Sequence, residues 1–147
     1  MTQPTTPQPA SSQTADDAAE PIIRVSDDRR QEAVERLLAS ADGTNPAAAK
    51  RFTAFAEENR INLSWMWSSL DDHERIRRTV LAVPNPGRTA MFFVTRLHHT
   101  ADVPPTARLI DRASRDITDA DVHLAQTLLD PTEQLDHEAF VRGGFHR

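Results

Sequence analysis

The chain has 147 residues, a formal net charge of −5 and no cysteine. That length supports one hydrophobic core without staples, and the missing thiols exclude a disulfide framework, a thiolate zinc site and a cysteine nucleophile. The 17 basic residues are scattered, around positions 29–30, 75–78 and 108–115, rather than gathered into one stripe, so duplex nucleic acid is not an expected partner.

Residues 1–20, rich in Thr, Gln, Pro, Ser, Ala and Asp, offer too little apolar surface to offset the entropy of ordering them. They read as a disordered tail before a domain over 21–147. The tail has neither the basic start and apolar run of a secretory signal nor the arginines of a transit peptide. No later stretch approaches the roughly 20 apolar residues of a membrane helix. The expectation is a cytoplasmic protein without a membrane partner.

Pro21-Ile22-Ile23-Arg24-Val25 reads as a short strand, followed by a helix to about Ala41 that starts at Ser26-Asp27-Asp28, with Gln31 completing a capping box. Val34, Leu37, Leu38 and Ala41 form its buried stripe. Asn45-Pro46 opens a second helix to about Asn59, with Phe52, Phe55 and Ala56 inward. From Asn62 the apolar period falls to two, and a three-strand meander follows over about 63–69, 75–84 and 88–97. Its turns are Asp71-Asp72-His73 and Asn85-Pro86-Gly87, the latter with Pro presetting φ and Gly supplying a positive φ. Trp65 and Trp67 share one strand face, as core or as the wall of an acceptor pocket. The strand Thr89-Ala90-Met91-Phe92-Phe93-Val94-Thr95 is apolar on both faces, as a strand covered on both sides would be. A helix over about 105–115, a strand over about 121–129 carrying Val122, Leu124 and Leu128, and a last helix opened by Asp130-Pro131-Thr132-Glu133 and stopped by Gly143-Gly144 complete the order.

The sequence thus predicts an α+β (α/β) domain: strand, two helices, three-strand meander, helix, strand and helix around one central mixed sheet. This order, with the segments Pro86-Gly87-Arg88-Thr89-Ala90-Met91-Phe92-Phe93, Leu124-Ala125-Gln126-Thr127-Leu128-Leu129-Asp130 and Glu138-Ala139-Phe140-Val141-Arg142-Gly143-Gly144-Phe145, resembles the GNAT N-acetyltransferases from about Pro21 to the end. The resemblance implies direct transfer of an acetyl group from acetyl-CoA, as substrate, to an amine of unknown acceptor. It also implies that the backbone near Phe93, Val94 and Thr95 holds the thioester and pantetheine arm. Arg96, His98 and His99 would then lie by the pyrophosphate, and Glu74, Asp72 or His98 would serve as base.

Three departures from that family stand in the sequence. The family's Gln/Arg-x-x-Gly-x-Gly/Ala loop corresponds to Arg96-Leu97-His98-His99-Thr100-Ala101-Asp102-Val103-Pro104-Pro105-Thr106, which has no glycine, two prolines without an N–H, and an aspartate that would oppose a phosphate. The family's general-acid tyrosine corresponds to Phe140, and the chain contains no tyrosine. The strand that Phe145 should start is cut short at Arg147, which suggests an open sheet edge able to recruit a second copy as a homodimer. These departures carry the alternative reading, a noncatalytic GNAT-like interaction or sensing module. His98-His99 lacks the spacing of a metal site, so no metal is expected. Glu133 and His137 read as a solvated i,i+4 pair, and no G-x-S-x-G elbow supports a serine nucleophile.

Overall fold

The computed structural model describes residues 19–146. The tail reading therefore falls mostly outside the described residues. Glu20, which it included, lies against the domain, its carboxylate on Arg78. The strands are β1 (Ile22–Arg24), β2 (Met66–Leu70), β3 (Ile76–Asn85), β4 (Thr89–Val94) and β5 (Leu124–Gln126), and the helices α1 (Arg30–Leu37), α2 (Pro46–Glu58), α3 (Val103–Asp116) and α4 (Gln134–Arg142). The sheet runs β1-β2-β3-β4-β5, antiparallel throughout except for the parallel β4–β5 pair. The α+β (α/β) reading with one mixed sheet matches this architecture.

The two faces of the sheet are divided by strand alternation. Val80 and Ala82 of β3, Ala90 and Phe92 of β4 and Trp67 of β2 pack with α3 and α4. Leu81, Met66 and Leu70 point the other way, onto α1 and α2. Trp67 is fully buried and its indole N–H donates to Asp116 Oδ2 at 2.9 Å, so burial leaves no orphan donor. The Arg24 guanidinium lies 4.1 Å from the Trp65 ring centroid, a cation–π contact. The two tryptophans thus belong to the core and its β1 border.

Several local readings are corrected. The Ser26-Asp27-Asp28 segment forms a short 3-10 turn, with Ser26 Oγ donating to Asp28, instead of a capping box. Asn45 does cap α2, accepting from the Ala48 amide at 3.0 Å. That helix, however, buries Ala49 and Ala56 and leaves Phe55 54% exposed, because small residues let it approach closely. Asp130 folds onto the Thr132 amide at 2.9 Å, so α4 starts later, at Gln134. Strand β5 is only three residues long, and Leu128 beyond it is 86% exposed.

Phe145 does not begin a strand. Its amide donates to the Phe140 carbonyl at 2.9 Å and its ring packs on Phe140 and Phe92, with centroids 4.9 and 5.4 Å away. The turn before it is glycine by necessity: a Cβ on Gly143 would sit 2.7 Å from Ile110 Cγ2 of α3. No helix among the described residues is long and apolar enough to cross a membrane.

Candidate functional site

Strands β4 and β5 are paired over only three positions, Thr89–Leu124, Ala90–Ala125 and Met91–Gln126. Beyond Met91 they part. The Phe92 carbonyl is met by the Thr127 hydroxyl at 2.9 Å in place of a backbone amide. The Thr95 amide points to β3, bonding Thr79 O at 3.0 Å, so by alternation the Val94 amide faces away from β3 into the fork. A parallel pair that opens this way exposes main-chain donors to an extended ligand.

At the head of the fork, a loop leads from β4 to α3. The Asp102 carboxylate closes it from within: Oδ2 accepts from the His98 and His99 amides, each at 3.0 Å, and Oδ1 accepts from Arg78 Nη2 at 2.9 Å. Burial raises this carboxyl's pKa, but the His98 amide, the Arg78 guanidinium and the His99 amide outweigh it and hold the group below its ordinary value. Arg78, itself buried, is shared between Asp102 and Glu20.

Among solved structures the chain is similar to a probable acetyltransferase (10% identity, TM-score 0.59, covering 86% of this chain and 90% of the other). It is also similar to a predicted acetyltransferase with acetyl-CoA from Clostridium acetobutylicum (11%, 0.56, 86% and 90%). A third is a transcriptional regulator from Bacillus halodurans C-125 (15%, 0.58, 86% and 93%). The fold is GNAT-like. Neither a protein-family model nor a curated protein matches the chain in sequence.

Within the GNAT-like frame the sequence-derived residues separate into two groups. Phe93, Val94 and Thr95 lie at the open end of β4, with the Phe93 ring 48% exposed on the α1–α2 side. It borders an apolar groove of about 470 Å³ that also takes in Leu38, Phe52 and Met91. Arg96, His98 and His99 are exposed on the loop. Arg96 is spent on an ion pair with Glu133, and the two histidine amides are spent on Asp102. Glu74 stands on the exposed β2–β3 turn at φ 61°, with its carbonyl accepting from Arg29. The structure does not join Glu74 and His98 by a hydrogen bond. Among the described residues no group of three His, Asp or Glu is arranged to hold a metal.

A residue that sequence reasoning assigned to a solvated pair stands out instead. Glu133 is taken by Arg96, and His137 has its Nε2 buried without a hydrogen-bond partner. His137 lines a cavity of about 520 Å³ with Thr127, Phe140 and Phe145. Thr127 connects this cavity to the fork, because the same residue's hydroxyl meets Phe92 O. The spacing held the signal: His137 is three residues before Phe140 and so shares its helix face.

Next to it, Asp136 is raised above its ordinary pKa, first by burial and then by the neighbouring Glu133 charge, and its Oδ1 has no hydrogen-bond partner. A carboxyl raised in the folded state stabilises below its unfolded pKa and loses that stability as pH rises through the folded value. Asp136→Asn is therefore expected to raise the urea midpoint at pH 7 and to leave it unchanged near pH 3, where both side chains are neutral. An equal shift at both pH values would contradict the charge assignment.

Proposed function

We propose that the chain transfers an acyl group from acyl-CoA to an amine, by direct attack of the amine on the thioester. The reading rests on the β4/β5 fork, whose free edge at Val94 has the polarity and extended form to pair with a pantetheine arm. One structure of similar fold holds acetyl-CoA, which supports the same assignment. The apolar groove beside Phe93 gives the acceptor a side from which to approach, on the α1–α2 face. Bound acyl-CoA supplies the activated carbonyl. The chain orients it through the Val94 amide, and His137 carries a proton between the amine and the departing thiolate. Phe140, at the position of the family's usual acid, packs the core and titrates nothing.

The pyrophosphate end fits less well. Its natural donors would be the amides that Asp102 already holds, and Pro104 and Pro105 remove two more. That observation favours a second reading, a GNAT-like module that binds without catalysing. Calorimetric titration of acetyl-CoA and free CoA separates the two: the acyltransferase is expected to bind both saturably, down to millimolar affinity. No heat from either ligand with folded protein would exclude acyl transfer and leave the binding module.

A further inference from the structure

A third concave surface, of about 410 Å³, lies between the end of α1, the β2–β3 turn and the loop after β4. Five arginines line it: Arg36, Arg75, Arg77, Arg78 and Arg96. Three are compensated, Arg77 and Arg78 by Glu20, Arg78 also by Asp102, and Arg96 by Glu133. Arg36 and Arg75 have no carboxylate within 4.0 Å among the described residues. Arg36 is half-buried, and its carbonyl accepts from the Thr95 hydroxyl at 3.1 Å, which ties the end of α1 to β4. Arg75 is fixed at its backbone by Asp71 Oδ1, at 3.0 Å. The two acids in the wall are thus engaged, Asp71 with the turn amides and Asp102 with the loop and Arg78.

Two guanidinium groups without an ion pair in a hollow run against the −5 charge of the chain, and Arg75 has only the nearby charge of Asp71 to offset it. An anion seated here would offset the partial desolvation of Arg36. A guanidinium fork matches the two oxygens of a carboxylate or a phosphate. The volume suits a small molecule, and the wall takes Arg96, His98, His99 and Asp102 from the loop at the head of the fork but no residue of β5 or α4.

We propose that this pocket binds a small dianion, a phosphate monoester or a dicarboxylate, held between Arg36 and Arg75 on the α1 side of the loop after β4, away from the β5 arm of the fork. The site does not depend on acyl transfer. The test is calorimetric titration of the full chain at low salt with inorganic phosphate and with succinate. Saturable binding of one of them, weakening as salt is added, supports the site and names the oxyanion it prefers. Arg36→Gln and Arg75→Gln are each expected to weaken that binding about tenfold or more, and Arg115→Gln, on the far helix, to leave it unchanged. Arg75, exposed on a turn, carries the test if the Arg36 variant fails to fold. No saturable binding of either anion, or wild-type affinity in both variants, overturns the proposal. So does competition with CoA combined with equal weakening of CoA and phosphate by Arg36→Gln, since the pocket would then be the CoA phosphate site.

Discussion

Replacing His137 with alanine is expected to lower turnover of acetyl-CoA by about 10²-fold or more, with the acetyl-CoA dissociation constant unchanged. The size follows from its proposed work: proton transfer by a positioned side chain is worth 10²–10⁴-fold, and the chain offers no tyrosine to replace it. The split between kcat and binding follows from position, because His137 lines the cavity behind Thr127 and the fork edge is backbone. His137→Gln should behave like the alanine variant, since an amide fills the space and hydrogen-bonds without titrating. Stopped-time assays with an amine panel, paired with calorimetric titration of acetyl-CoA, measure both quantities. An unchanged kcat in both variants would remove His137 from the chemistry.

What could be read from the residues was mostly local. Asn45-Pro46 marks its own helix because the cap and the proline act within one turn, and Gly87, at φ 89°, turns the β3–β4 hairpin for the reason its residue type suggests. The element order followed, and with it the GNAT-like fold. Errors fell where tertiary contacts choose among equivalent options. Phe55 and Ala56 were both available to face inward, and close packing of α2 selected Ala49 and Ala56. Leu124 and Leu128 are apolar, yet β5 is an edge strand that leaves Leu124 exposed, and it ends at Gln126, before the exposed Leu128. The resemblance implied a strand starting at Phe145, but two aromatic partners draw the ring into the core. At the site, the acid in the loop was visible in the sequence. Its grip on two particular amides is not, because it depends on the 3-10 turn at Thr100–Asp102 carrying the carboxylate back over the chain.

That grip makes Asp102 the residue whose loss should act in two directions at once. Asp102→Ala frees the His98 and His99 amides and leaves Arg78 with Glu20 alone, so unfolding free energy is expected to fall by about 2–4 kcal/mol. Asp102→Asn keeps an acceptor and should lose less. The carboxyl is depressed in the folded state, so its contribution is present above the unfolded pKa and disappears as pH falls through the folded value. Urea titrations should therefore find the gap between wild type and Asp102→Asn wide at pH 7 and closing in acid; a gap independent of pH would mean that the charge contributes nothing. The opposite effect is on anions. With the amides released and one negative charge removed, CoA is expected to bind about tenfold more tightly to Asp102→Ala if its pyrophosphate uses this loop. Unchanged CoA affinity in a folded variant would mean that CoA, where it binds, is held by the fork and not by the loop, and that the Asp102 carboxylate serves the fold alone.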